Sequence, residues 1–240
     1  MPTSLRLARR SALASLAACL ALPAGGAAQT IDTGPPAAPS ALTPLWLGGA
    51  FNRGQSFTVV PSLTTLTRFD FYLSSLANFE TMTYRAFVAA WDPATRRTVG
   101  PLLWQSDPIA GVAASSATLV AYAVPDLALT PGATYIAILS SAGLNGPGGG
   151  TPLGAVHLAA GRDSYAGGEG YSLFAGLDDP AALTTNAWTS FGELASIGYV
   201  PGEDFAFKAT LVSPEPSTWA LLVSGLGIVA LAVRRRTRAS

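Results

Sequence analysis

Apolar residues in the middle of the chain recur at every second position, which is the spacing of β-strands. In the stretch 66–73, Phe69, Phe71 and Leu73 alternate with polar residues such as Asp70. Successive side chains of a strand point to opposite faces, so this spacing places the three apolar residues on one face. The pattern predicts a strand with one face in a core.

Similar segments follow one another along the chain, separated by turn signals such as Asp92-Pro93. The predicted strands are 56–60, 66–73, 81–91, 102–105, 118–124, 134–139 and 204–211. The segment 81–91 is apolar on both faces and is expected at the centre of a sheet. Short strands at this spacing predict an all-β fold, a jelly-roll-like β-sandwich over residues 45–212. The segment 141–187 is less regular.

Residues 29–44 contain four prolines among small residues and predict an extended linker ahead of the sandwich. Before this linker, Arg6, Arg9 and Arg10 precede a short apolar stretch, 11–22, which small residues follow. This order is typical of a secretory signal peptide, and the apolar stretch is shorter than the roughly 20 residues that span a bilayer. We expect residues 1–28 to be removed by signal peptidase. Lipidation of Cys19 is the alternative for this segment.

An uncharged, mostly apolar segment at the other end, 217–233, precedes a basic tail, 234–240, with four arginines. Seventeen helical residues reach about 25 Å, near the lower limit for a membrane crossing. Trp219 suits the membrane interface, and the arginines are expected to stay cytoplasmic. The segment therefore predicts a transmembrane helix with residues 29–213 outside the membrane.

The order of these C-terminal parts is specific: Pro214-Glu215-Pro216, then the apolar segment with Gly225-Leu226-Gly227, then the arginine cluster. Over 213–240, about a tenth of the chain, it resembles the PEP-CTERM sorting signal. The resemblance implies export by a Gram-negative bacterium that makes exopolysaccharide. It also implies that an exosortase in the inner membrane recognises Pro214, Glu215 and Pro216 and removes the tail, leaving the protein at the cell surface or in the matrix. The stretch 54–57, together with 90–106, loosely resembles exported domains joined to such tails.

Charge and cysteine content exclude several classes of function. Residues 29–213 carry seven basic and thirteen acidic residues, a net charge of −6, so they lack the basic surface that nucleic acid requires. Because Cys19 is the single cysteine, this region has neither a disulfide nor a catalytic thiol. No cofactor is expected.

Candidates for catalysis are few. His157 is the single histidine, which excludes a metal centre built on several histidines. Ser164 and Ser172 are near it in sequence, but neither lies in a Gly-x-Ser-x-Gly elbow, and His157 is expected to be a strand residue. We therefore expect no catalytic residue. The alternative is a carbohydrate-active hydrolase that uses a pair of its acidic residues.

Candidates for ligand binding cluster in the glycine-rich segment 161–176. Tyr165 and Tyr171 could stack on sugar rings, and Asp163 and Glu169 could accept hydrogen bonds from sugar hydroxyls. Trp104 and Trp188 are further aromatic candidates, although aromatic residues in strands usually belong to the core.

Metal ligands are expected at none of these positions, but Asp178 and Asp179 could help hold a structural Ca²⁺. The sequence as a whole predicts a non-enzymatic protein of the cell envelope or extracellular matrix, with a structural or adhesive role in exopolysaccharide.

Overall fold

The computed structural model describes residues 28–36, 45–47, 51–144, 153–174, 179–197 and 199–213. They fall within one unit, Ala28–Ser213. The predicted transmembrane helix 217–233, the basic tail and residues 1–27 of the predicted signal peptide lie outside the described residues. In the part that is described, none of the helices is long and apolar enough to cross a membrane.

Short strands make up most of the described chain. They are β1 (Ala28–Asp32), β2 (Leu45–Leu47), β3 (Phe51–Thr58), β4 (Thr65–Ala77), β5 (Thr83–Asp92), β6 (Arg97–Gln105), β7 (Ile109–Ala110), β8 (Thr118–Ala128), β9 (Thr134–Ser140), β10 (Leu153–Val156), β11 (Gly170–Phe174), β12 (Thr189–Ser190) and β13 (Phe207–Val212). One short α-helix, α1 (Ala182–Thr185), and the 3₁₀ helices Phe79–Thr81 and Phe191–Ile197 complete the described elements.

The strands form two antiparallel sheets. One sheet has the order β1-β13-β4-β10-β2, with β8 also paired to β4. The other has the order β12-β11-β3-β9-β5-β6, with β7 also paired to β5. Connections such as β3 to β4, β4 to β5 and β8 to β9 pass from one sheet to the other, which gives the jelly-roll-like β-sandwich that the sequence predicts. Strand β5 lies between β9 and β6, so the prediction of a central strand at 81–91 is confirmed.

The core lies between the two sheets and follows the period-two pattern of the sequence. Phe69, Phe71 and Leu73 of β4 are fully buried on its inner face. Phe207 of β13 packs against Phe71, with ring centroids 5.0 Å apart, and against Phe57 of β3, at 6.1 Å. Alternating apolar residues therefore predict both the strands and the faces that they bury.

A smaller apolar cluster covers the outer face of the second sheet. Leu183 lies in α1 and Trp188 lies just after it. Both pack over residues of β5, β9 and β11 and are fully buried there. The indole of Trp188 meets that of Trp91 edge-on, at 6.1 Å between centroids. Trp188 is therefore a core residue and offers no free face for a sugar.

The predicted linker at 29–44 is wrong for its first residues, because Ala28–Asp32 forms an edge strand on β13. Ile31 is buried, and Asp32 Oδ2 forms an ion pair with Lys208 Nζ at 2.8 Å. Thr33 Oγ1 then donates to Phe205 O at 2.6 Å, which fixes the chain ahead of the prolines. Residues 37–44 lie outside the described part.

Candidate functional site

The glycine-rich loop between β10 and β11 is held against the segment that leads into β13. The backbone amides of Ser164 and Tyr165 both donate to Asp204 Oδ2, at 2.9 and 2.8 Å. Further along, Thr58 Oγ1 donates to Gly167 O at 2.8 Å. The loop is thus fixed at two points by side chains that are remote in sequence.

Asp204 is the centre of this arrangement and is fully buried. Its second carboxylate oxygen, Oδ1, accepts from Gln55 Nε2 at 2.7 Å. Burial raises the pKa of Asp204 to about 7, although the hydrogen bonds from Gln55, Tyr165 and Ser164 favour the ionised form. We call Gln55, Asp204 and the amides of residues 164 and 165 the Asp204 clamp.

Close approach of the loop to β3 depends on Gly168. A Cβ at this position would lie 1.9 Å from the backbone oxygen of Ser56, well inside contact distance. On either side of this contact, Glu169 N donates to Ser56 Oγ at 2.9 Å and Ser56 N donates to Glu169 O at 3.0 Å. The glycine therefore allows the loop to pair with β3.

Tyr165 is half-buried, and β3 engages its hydroxyl group. The hydroxyl donates to Thr58 O at 3.2 Å and accepts from Thr58 N at 3.3 Å. Burial raises the pKa of the phenol, and the hydrogen bond to Thr58 partly offsets this. The hydroxyl of Tyr165 therefore fixes the loop to β3.

Tyr171, the second tyrosine expected to stack on a sugar ring, is buried. It belongs to β11 rather than to the loop, and its ring lies 4.7 Å from that of Trp91 in the outer cluster. Burial raises the pKa of Tyr171 to about 12. The glycine at 170 leaves the strand intact and makes room for the Phe191 ring, which would lie 2.2 Å from a Cβ there.

The two predicted acidic ligands flank the turn before β13. Asp163 is exposed, and its carboxylate lies beside Gly202. Glu169 is half-buried, and its Oε1 accepts from Gly202 N at 3.3 Å. Both acids are therefore next to the same turn.

One cleft of about 280 Å³ opens between the loop, β3 and β9. It is lined by Ser56, Thr58, Pro93, Thr134, Ala166, Gly167, Gly168, Glu169 and Tyr171. The cleft brings Glu169 together with Tyr171, whereas Asp163 and Tyr165 do not line it. Hydroxyl groups and one carboxylate can bind a polar ligand here. Glycoside hydrolysis usually needs two carboxyl groups, and this lining supplies one.

His157 follows β10 and does not face the serines near it in sequence. Its Nε2 lies 2.8 Å from Ser74 Oγ, on the buried part of β4, and burial lowers the pKa of the imidazole. The backbone amide of Ser164 donates to Asp204 in the Asp204 clamp, and Ser172 is fully buried in β11.

The predicted calcium site falls only in part on the described chain, because Asp178 lies outside it. Asp179 Oδ1 accepts from Ala181 N at 2.8 Å and so serves the start of α1. Among the residues that the structure describes, no group of three or more His, Cys, Asp or Glu side chains is placed to hold a metal ion.

Comparison with known proteins bears on the C-terminal tail. Residues 214–236 match the PEP-CTERM protein-sorting motif, which confirms the predicted tail. The chain is a β-sandwich protein that carries a sorting signal at its C-terminus. The signal implies an exported protein that is processed by an exosortase at the cell envelope.

Two solved structures resemble the sandwich distantly. No curated protein matches the chain. One of the two is the structure of infectious bursal disease virus, Gx strain, which shares 9% sequence identity with this chain at a TM-score of 0.32. The match covers 80% of this chain and 37% of that one. The VP2 subviral particle of infectious bursal disease virus is 11% identical with a TM-score of 0.30, over 89% of this chain and 50% of that one. Both TM-scores are too low to carry over fold or function.

Proposed function

We propose that this chain is a non-enzymatic structural or adhesive protein of the extracellular matrix, held in exopolysaccharide by its β-sandwich. The sorting motif at 214–236 carries the proposal, because it directs the sandwich to the cell envelope. In this proposal the matrix polysaccharide is what the sandwich contacts.

The use of the buried polar groups supports a role without catalysis. Asp204, the buried acid with the strongly raised pKa, has both oxygens occupied by donors of the fold. The histidine meets a serine of the sheet, and the cleft beside the loop has a single carboxylate. These groups stabilise the fold, and a mechanism that needs a free acid and a free base would have to disrupt it.

The position of the first strand supports removal of the signal peptide. Strand β1 begins at Ala28, the last residue before the expected cleavage site. Cleavage after Ala28 leaves the pairs from Gln29–Leu211 to Asp32–Lys208 in place. In this proposal signal peptidase acts at the inner membrane of a Gram-negative cell, and the exosortase acts afterwards on the tail.

The test is the location of the mature chain in its producer and in a mutant that makes no exopolysaccharide. The proposal expects the chain to be retained in the matrix of the producer and released to the medium by the mutant. Equal release from both strains would contradict it. Incubation of the purified chain with the exopolysaccharide, followed by measurement of new reducing ends, tests the hydrolase alternative, and sustained release of reducing ends would favour it.

A further inference from the structure

A second depression lies along the edge strand β6 and shares no lining residue with the cleft. It has a volume of about 590 Å³, within the usual range for small-ligand sites. It is lined by Pro101, Leu102, Leu103, Trp104, Gln105, Pro180, Ala181 and Thr184. We call it the β6 groove. We propose that the β6 groove binds a neutral oligosaccharide segment of the matrix polysaccharide, an inference that rests on the function proposed above.

The wall that α1 provides is fixed to β6 by hydrogen bonds. Trp188 N, just after the helix, donates to Arg96 O at 2.9 Å. Arg97 Nη1 donates to Thr185 O, and Thr98 Oγ1 donates to Thr184 O at 3.4 Å. Because the wall is already in place, a ligand does not have to order it, which lowers the entropic cost of binding.

Apolar and polar groups that suit a sugar line this groove. Trp104 is half-buried, and its indole meets the Phe69 ring edge-on, with centroids 5.9 Å apart. This contact directs the indole towards the core between the sheets, so only the part of Trp104 that stays exposed borders the groove. Leu103 is 41% exposed and extends the apolar surface. Apolar C–H faces of a sugar pack on such surfaces, while Gln105 and Thr184 can hydrogen bond its hydroxyl groups.

Charge favours a neutral glycan over an acidic one. All eight lining residues are uncharged. The region 29–213 carries a net charge of −6 and so repels a polyanion, and the cation beside the wall, Arg97, already bonds to Thr185 O. A neutral segment is not repelled by the negative charge and needs no cation in the groove.

The shape of the β6 edge excludes an added β-strand as the occupant. The register between β5 and β6 shifts on both sides of Ala89, and the β6 residues at these shifts include Gly100 and Pro101. Gly100 has a φ of 72°, and Pro101 has no N–H to donate. Strand addition needs a regular row of donors and acceptors along the edge. A sugar chain needs only a few hydrogen bonds and a packing surface.

The experiment uses the full-length chain, purified in detergent, and isothermal titration with defined hexasaccharides. The probes are a β-1,4-glucan, a β-1,3-glucan, a β-1,4-mannan and, as the acidic probe, an oligoguluronate. Ala181 is an exposed lining residue, so Ala181→Trp fills the groove. Ala128→Trp, at an exposed alanine of β8 in the other sheet, is the matched control.

We expect at least one neutral hexasaccharide to bind and Ala181→Trp to weaken it at least tenfold, with Ala128→Trp unchanged. Leu103→Asp, at an exposed position, is the second variant and should weaken the same probe. The groove assignment is overturned if no neutral probe binds, if the oligoguluronate binds more tightly, or if both groove variants bind like wild type. A change in self-association of Ala181→Trp without a change in glycan affinity also overturns it, since the groove would then be a contact between copies.

The matrix experiment separates this inference from the proposed function. If wild type and Ala181→Trp are both retained in the matrix, the groove is not the site, and the proposed function stands. If wild type itself is not retained, the proposed function fails.

Discussion

The side-chain amide of Gln55 bonds at both of its ends to the segment entering β13. Its Nε2 donates to Asp204 Oδ1 at 2.7 Å, and its Oε1 accepts from Phe205 N at 2.8 Å. Gln55 belongs to β3 in one sheet and Phe205 leads into β13 of the other, so one amide joins the two sheets through the core. The same carboxylate fixes the glycine-rich loop.

Replacing Gln55 with leucine should lower the free energy of unfolding by about 2–6 kcal/mol, the sum for two buried groups that each lose a partner. The variant leaves Phe205 N and Asp204 Oδ1 without these partners in a buried site, and each lost partner costs roughly 1–3 kcal/mol. Urea unfolding, monitored by tryptophan fluorescence, measures the change in the free energy of unfolding. Gln105→Leu, at an exposed position, is the control and should change stability by less than about 0.5 kcal/mol. Equal effects of the two changes would show that the amide of Gln55 does not join the sheets.

The pH dependence of stability should change in the variant Asp204→Asn. The pKa of Asp204 is about 7 in the folded chain, above the value of about 3.9 expected in the unfolded chain. The folded chain therefore binds the extra proton between these values. The stabilisation from this group is complete below pH 4 and is lost as the pH rises through 7.

Urea unfolding from pH 4 to pH 8 tests this difference. Wild type should lose a few kcal/mol more than Asp204→Asn over the range, since a tenfold change in proton affinity corresponds to about 1.4 kcal/mol. The readout is the slope with pH and not the absolute stability. If the free energy of unfolding changes with pH in the same way in both proteins, Asp204 does not have the raised pKa.

Gly168→Ala should destabilise the fold by about 1–3 kcal/mol, the usual cost of overpacking. The added methyl group would meet the Ser56 carbonyl oxygen of β3, which cannot rotate away as a side chain could. Gly192→Ala is the matched control, because a Cβ there meets Pro201 at ordinary distances of 3.4–3.5 Å. Thermal unfolding of both variants measures the difference, and a Gly168→Ala variant as stable as Gly192→Ala would rule out the close approach.

Replacing Pro214, Glu215 and Pro216 together with alanine should leave the protein in the membrane fraction with residues 234–240 attached. The three residues begin the matched sorting motif, and the exosortase should no longer recognise the tail. Mass spectrometry of the C-terminal peptide is the measurement. Pro131→Ala, at an exposed proline of the sandwich, serves as the control and should be processed normally. The same mature C-terminus in both proteins would remove this motif from processing.

The longer strands are predictable from the sequence because their buried face repeats every second residue. Strands β4 and β13 follow this rule, with Phe69, Phe71 and Leu73 on one and Phe207 on the other buried between the sheets. Strand β1 is not predictable in this way, because its one buried apolar side chain, that of Ile31, lies just ahead of a proline-rich stretch. A single inward residue leaves no period to detect.

The candidate site was harder to predict for a different reason. Tyr171 follows Gly170, and a glycine there is typical of a loop, but Gly170 belongs to β11 and leaves room for the Phe191 ring. Gln55 and Asp204 are 149 residues apart, and no local pattern links them. The one signal was the position of Gln55 two residues before Phe57, which places a polar side chain on an inward face.

The pairing of β1 with β13 also determines how the domain responds to force. Ala28 lies opposite Val212, and Asp32 lies opposite Lys208. The chain therefore enters and leaves the sandwich at the same end of one strand pair. After cleavage behind Ala28, a pull between Gln29 and Val212 opens the pairs in succession from Gln29, instead of shearing all of them together. A sandwich held in a matrix and pulled by both ends would release β1 first, at low force, and the pair between β13 and β4 would be strained only afterwards.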